Sequence, residues 1–309
     1  MTNLELDFSV VTAQDIPLLK TYLAKASYHE SNHNLINMFM WQSMFPLYKY
    51  VDERFVLLLG LVDNKLFFYM PLCAPEDFNE AIIKAKALAK QANIPFVLSA
   101  FTKAQHDQVK QLYPNMFSCL ARDGFDYVYQ GEKLISLSGK KLQKRRNLYN
   151  QFVKNYQGRY QLADLQAYIP QVRSFLKQWM GDAEPDRYLR HEQIGIEFIL
   201  EHFDQFEAKA SVLLLDGEVK GFLIASTLSQ TMIQFNIEKA DKRFPGIYQV
   251  LEKEFMLAHF PTIAFVNRED DMGYENLRQA KLANQPSELI EKYRLCEEVD
   301  DVCKSRCTG

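Results

Sequence analysis

A hairpin pattern occurs twice in this 309-residue chain, about half its length apart. Phe55 to Leu61 and Leu66 to Met70 are apolar, β-prone runs joined by Val62-Asp63-Asn64-Lys65. Val212 to Leu215 and Val219 to Ala225 are joined in the same way by Asp216-Gly217-Glu218. Short polar connections between such runs read as hairpins. The order of elements around each hairpin also repeats. In the first half, a strand at Phe8 to Val11 leads into helical stretches at Gln14 to Ala26 and His33 to Phe45, with Thr12 and Asp15 spaced as a helix start. A helix from Glu76 to Gln91, a strand from Pro95 to Ala100 and a helix from Lys103 to Leu112 follow, and a strand at Tyr127 to Tyr129 closes the half. In the second half, Tyr160 to Leu162 precedes helices at Leu165 to Met180 and Leu189 to Phe206. After the hairpin come a strand at Met232 to Ile237, a helix from Gly246 to Ala258, a strand at Ile263 to Val266 and a helix from Tyr274 to Leu282. Such a repeat predicts two similar α+β domains, 1–134 and 135–295, with the boundary between Gln130 and Gly139 and a flexible tail over 296–309.

Composition narrows the function classes. With 48% hydrophobic and 24% charged residues, the chain is neither disordered, collagen-like nor a coiled coil. A formal net charge of −3 gives no global attraction for nucleic acid or anionic lipid, so DNA is not an expected partner and any such binding needs a local patch. The segment Met1 to Asp7 lacks the pattern of a secretory signal, and the longest strongly apolar stretch, Phe55 to Val62, falls far short of a membrane span. Five cysteines, with Cys73 and Cys119 isolated and Cys296, Cys303 and Cys307 crowded together, do not form an extracellular disulfide framework; a reducing cytoplasm is expected.

Four motifs bear on chemistry. Between Gly139 and Phe152, five positive charges fall within seven residues, and no acid occurs between Glu132 and Asp164. On a helix, Lys141, Lys144, Arg145 and Leu148 share a face, with Leu142, Tyr149 and Val153 turned inward. That face suits a phosphate-rich partner such as coenzyme A, a tRNA acceptor end or a lipid head group; the plainer reading is a solvated helix face. Phe235 to Tyr248 runs from strand to helix, and Pro245-Gly246 offers a helix entrance whose N–H groups attract phosphate, beside Lys242 and Arg243. Asn267-Arg-Glu-Asp-Asp-Met-Gly273 places charged residues at a strand end, where an acid or base can stand over a substrate or a helix can simply be capped. Finally, His29-Glu-Ser-Asn-His33 matches H-E-x-x-H, so a zinc hydrolase with Glu30 activating water and Glu53 as third ligand is an alternative. The polar middle residues Ser31 and Asn32 argue against it. No P-loop, dinucleotide fingerprint or G-x-S-x-G elbow is present.

The run from Tyr129 to Phe152, including Glu132-Lys-Leu-Ile-Ser-Leu-Ser-Gly-Lys-Lys141 and Lys144-Arg-Arg-Asn147, resembles the bacterial family named for the carboxy-terminal domain of phosphatidylglycerol lysyltransferase. Glu238-Lys-Ala240, Pro245-Gly-Ile-Tyr248, Asn267 to Gly273, Leu277 to Lys281 and Pro286 fit the same pattern. The resemblance covers nearly the whole chain. It implies two tandem domains of the Gcn5-related N-acyltransferase fold, each a mixed, mostly antiparallel sheet flanked by helices. The chain is also distantly similar to the Fem-type aminoacyltransferases. It departs from lipid lysyltransferases in showing no multi-span region, and from ordinary acyltransferases in lacking the Q/R-x-x-G-x-G/A signature, of which only Gly246 occurs in the expected turn.

The resulting expectation is a cytoplasmic acyl- or aminoacyl-transferase without a tightly bound cofactor or metal. It takes an activated acyl group from coenzyme A or aminoacyl-tRNA to an amine or hydroxyl. Lys141, Lys144, Arg145, Asn147, Gly246, Asn267 and Arg268 are the expected donor-binding residues. Glu269 or Asp271 is the expected base and Tyr248 a proton donor. A non-catalytic module of the same fold is the main rival.

Overall fold

Both hairpins close through two residues in the left-handed region, Asp63 and Asn64 at φ 46° and 62°, and Asp216 and Gly217 at φ 52° and 81°. Two such residues in succession match the right-handed twist of the flanking strands. Val62 therefore pairs with Lys65, and Leu215 with Glu218. The structure, a computed structural model, describes residues 8–181 and 187–298. The chain divides into two compact units. One takes the chain up to Asp126, then Asp270–Tyr274 and the segment from Ile290 onward; the other takes Tyr127–Glu269 and Glu275–Leu289.

In the first unit the described strands run in the order Ser9–Val10, Leu47–Val51, Phe55–Val62, Lys65–Phe68, Val97–Phe101, Tyr293–Cys296, Phe117–Leu120, with Leu72–Cys73 on Phe55–Val62. The helix Phe78–Ala92 buries Phe78, Ala81, Ile82, Ala85, Leu88 and Ala89 against this sheet and stops at Asn93 in the left-handed conformation. Thr12 and Asp15 form a reciprocal capping box, as their spacing predicts. The helix expected over His33 to Phe45 is shorter, Leu35–Met40, because Asn34 caps it and Ser31–His33 forms a separate 3-10 turn. Cys296 is not tail: it lies buried in a strand paired with Phe117–Leu120. Cys303 and Cys307 fall outside the described residues.

The second unit orders its strands as Glu288–Ile290, Asp126–Gln130, Phe265–Asn267, Met232–Ala240, Glu218–Thr227, Ala208–Leu215 and Tyr160–Asp164. From Asp126–Gln130 through to Tyr160–Asp164 neighbouring strands are antiparallel, except Met232–Ala240 with Phe265–Asn267, which is parallel. The helices Gln143–Tyr156 and Ile247–His259 share a core with Phe235, Leu223, Ala225 and Leu213. On another side of the sheet, Phe175 of the helix Ile169–Gly181 meets Phe222 edge-on. Each sheet thus uses a strand encoded with the other half: Asp126–Gln130 joins the second sheet, and Tyr293–Cys296 joins the first. No helix among the described residues is long and apolar enough to cross a membrane.

Candidate functional site: a fork between parallel strands

The second sheet opens at the parallel pairing of Met232–Ala240 with Phe265–Asn267. Met232, Ile233 and Gln234 pair with Phe265, Val266 and Asn267, and there the described pairing ends, although the longer strand continues to Ala240. Asn267 is fully buried, and its Oδ1 accepts from the Glu269 N–H at 2.8 Å. This turn puts Glu269 at φ 61° and swings the chain away from its neighbour. The Nζ of Lys281 clamps the carbonyls of Arg268 and Glu269, and the Tyr127 N–H donates to the latter. A half-buried Glu269 carboxylate results, with Oε1 held at 2.7 Å by Gln234 Nε2 at the root of the fork.

A bulge decides which side chains reach each face. Against Glu218–Thr227, Phe235 pairs with Ala225 but Ile237 pairs with Ile224, leaving Asn236 as an extra residue. Alternation therefore slips by one: Glu238 shares the face of Phe235, and Gln234 takes the opposite one. On the Glu238 side, four ionisable side chains meet, those of Glu252 and Arg145 buried and those of Glu238 and Arg268 partly buried. Glu252, from Ile247–His259, binds Arg145 with one oxygen and Arg268 with the other. Arg268 also binds Glu238 Oε2, and Arg145 donates to Asn284 Oδ1. Burial alone raises a carboxyl's pKa, but the two guanidiniums hold Glu252 below its ordinary value. Burial first, and then the neighbouring Glu252 charge, push Glu238 up to about 8 against the pull of Arg268 and Arg145.

The expected donor-binding residues separate accordingly. Lys141, Lys144 and Asn147 are exposed and line a shallow concavity with Lys140, Gln143, Leu148 and Gln151. Arg145 is not among them, because it points inward to Glu252. Gly246, at φ 93°, caps Ile247–His259, but a Cβ there would stand 2.1 Å from the Leu148 carbonyl oxygen. The glycine thus lets two helices approach, rather than leaving an open anion cradle. Arg243 is tied to Asp241, while Lys242 is exposed. Tyr248 spans the backbone N–H and carbonyl of Ala240, both at 3.2 Å, and burial together with Glu238 pushes its phenol up to about 12.

Asp271 belongs to the first unit, whereas Glu269 belongs to the second. It is fully buried, bonded to Arg122 at 3.3 Å and to the Gly273 N–H at 3.0 Å. The H-E-x-x-H residues do not form the expected helical pair. His33 Nδ1 is bonded to Glu30, its Nε2 lies 3.0 Å from the Met70 carbonyl, and Glu30 caps the turn Ser31–His33, while His29 is exposed. That donor set is already committed and does not fit zinc.

Sequence reasoning missed Glu252 and gave no role to Glu238, which it named only among the residues that carry the family resemblance. A signal existed for Glu252: it interrupts the apolar stripe of Ile247, Val250, Leu251, Phe255 and Met256.

A family model described as phosphatidylglycerol lysyltransferase, C-terminal, matches residues 24–296. An uncharacterised protein of Mycoplasmoides gallisepticum is 28% identical over 169 residues, a match spanning 54% of this chain and 54% of that relative's length. A conserved protein of unknown function from Bacteroides thetaiotaomicron is similar in structure, with TM-score 0.87 and 22% identity, covering 96% of this chain and 100% of that one. L-PGS from Bacillus licheniformis follows at TM-score 0.67 and 13% identity, covering 93% and 94%. FemX follows at TM-score 0.58 and 8% identity, covering 97% and 99%. At these identities the likeness is one of fold.

Proposed function

Because this chain belongs to the phosphatidylglycerol lysyltransferase C-terminal family and carries a transferase fold of two tandem Gcn5-related N-acyltransferase-like domains, we propose that it is an acyl- or aminoacyl-transferase acting at the fork of its second unit. The observation that carries this reading is the stretch Phe235–Ala240, paired with Glu218–Thr227 on one edge and past the end of its described pairing with Phe265–Asn267 on the other, beside a fixed Glu269 carboxylate. The open edge of such a strand can hold an acyl carbonyl, and a carboxylate at the fork can take the proton of an attacking amine or hydroxyl. Lys141 and Lys144 supply charge for the phosphates of coenzyme A or of a tRNA acceptor end, with Asn147 beside them. Asn267 and Arg268 shape the fork from within, and Tyr248 fixes the far end of the open strand. Asp271 then serves the first unit's Arg122 rather than the transfer.

A thermal-shift titration with coenzyme A, acetyl-coenzyme A and aminoacyl-tRNA at fixed salt tests the donor, since a ligand of the folded state raises its melting point. Stabilisation by one of them names the donor class. Glu269→Gln is expected to keep the fold and the donor shift while lowering transfer by about 10²–10⁴-fold; undiminished turnover would remove Glu269 as base. One observation favours the non-catalytic module: the Gly246 turn is filled by Leu148 and Phe152. No shift with any donor would put that reading first.

A further inference from the structure

We infer that Glu238 is the proton donor to the leaving group of the transfer, carrying its proton in the resting protein on the carboxyl oxygen that faces Glu252. The inference rests on the transferase reading above but adds a residue and a step to it. Glu238 Oε1 is buried and meets no hydrogen-bond donor among the described residues. Its other oxygen is held by Arg268. Its carboxyl nevertheless contacts that of Glu252. Two carboxylates in contact repel, and two carboxyls sharing one proton attract, so a single proton accounts both for the orphan oxygen and for the contact. Glu252 already receives Arg145 and Arg268, which leaves the proton on Glu238.

Position makes this proton useful. Glu238 stands on the open stretch of strand beyond the fork, and the bulge at Asn236 turns it to the face opposite Gln234 and Glu269. That is the face of Gln143–Tyr156, the helix that carries Lys144 and follows directly on the 3-10 turn Lys140–Leu142 that carries Lys141. A donor anchored there by its phosphates brings its leaving atom to the Glu238 side, while the acceptor meets Glu269 on the other. In the step, the acceptor N–H or O–H gives its proton to Glu269 as the new bond forms to the acyl carbon. The bond from that carbon to the leaving sulfur or oxygen breaks with its electron pair, and the leaving atom takes the Glu238 proton. Glu238 becomes ionised beside Glu252, two negative charges against the two positive charges of Arg145 and Arg268, and solvent returns the proton from Glu269. The groups facing Glu238 are therefore Glu252 and Tyr248 from one helix, Arg145 from another and Arg268 from the fork.

Two measurements on the full chain test this. Infrared spectra of the ligand-free protein at neutral pD should show a carboxylic-acid C=O stretch that is lost in Glu238→Gln and kept in Glu269→Gln. Glu238→Asp, which keeps an acid, stands in if the glutamine variant does not fold, and should shift that band. A wild type without the band overturns the inference and leaves the transferase reading intact. The second measurement compares single-turnover transfer from a thioester and an oxygen ester of the same acyl group. Loss of the acid should slow the oxygen ester, whose leaving group needs the proton more, at least tenfold more than the thioester. An unchanged ratio overturns the inference. If the wild type consumes neither donor, the transferase reading itself falls, whatever the band shows.

Discussion

Glu238 and Glu252 respond to pH in opposite directions although they touch. Glu252 is held below the ordinary glutamate value by its arginines, so its contribution to stability is present above about pH 4.5 and is lost as pH falls further. Glu238 is raised to about 8, so the folded state holds a proton that the unfolded chain releases near 4.5. Its contribution is complete below that value and is lost as pH rises toward 8. Denaturant unfolding at pH 5 and pH 8 should therefore show the wild type losing stability relative to Glu238→Gln as pH rises, by at most about 1.4 kcal/mol per pH unit. Equal pH slopes would contradict the proton assignment. Arg145 shows what spacing can and cannot convey at this scale. Arg145, Tyr149, Phe152 and Tyr156 recur at steps of four, three and four, so Arg145 belongs to the stripe that buries Phe152. Grouping it with Lys141 and Lys144 by charge hid that periodicity, because a buried arginine is unusual until its carboxylate partner, distant in sequence, is known.

Elements fixed by local chemistry were legible in the sequence. Both hairpins, the capping box at Thr12 and the helix Lys103–Leu112 follow from residues within a few positions of one another. The strands Leu47–Val51, Phe117–Leu120 and Glu288–Ile290 were not, because they are short, mostly exposed or half-buried, and formed by pairing with distant partners. The bulge at Asn236 is equally silent, since it exists only in register with Glu218–Thr227. The helix pair around Gly246 gives a direct test. Gly246→Ala combines a positive φ, about 1–3 kcal/mol of strain, with a clash at the Leu148 carbonyl. Its melting temperature should fall by several degrees or more, and an unchanged value would mean that the helices do not approach as described. The exposed lysines should behave differently. Lys141→Glu with Lys144→Glu should leave the melting temperature of the free protein near the wild-type value. It should weaken a phosphate-bearing donor at least tenfold, with a shallower salt dependence, read by the same titration.

At the scale of the whole molecule, the repeated order of elements predicts two α+β domains, and the chain forms two such units. Their connectivity is richer than the repeat suggests. Asp126–Gln130 is spent on the second sheet, and Tyr293–Cys296 returns to the first. Lys292, 2% exposed, secures that return by donating to Asp126 Oδ1 at 2.6 Å, Asn32 Oδ1 at 2.6 Å and Ser31 Oγ at 2.9 Å. All three hydrogens of its ammonium are used, so the charge is buried without an orphan donor. Expressed alone, 1–134 would therefore lack an interior strand of its sheet and Lys292, and would carry a strand belonging elsewhere. It should not give the dispersed amide spectrum of a folded domain. A cooperatively folded 1–134 fragment would show that the returning strand is dispensable.

Synthesis gives that return a cost in time. When Val97–Phe101 has left the ribosome, the strand that lies beside it in the folded sheet is still untranslated, more than half a chain away. At about 5–20 residues per second, the gap is on the order of ten seconds or more. Through that interval the N-terminal sheet has an apolar strand with one side open, next to Phe96, Leu98 and Phe101 of the nascent core. The period before residues 290–296 emerge is thus when this polypeptide has most need of a chaperone, and a stalled or prematurely ended translation product should be an early target for degradation.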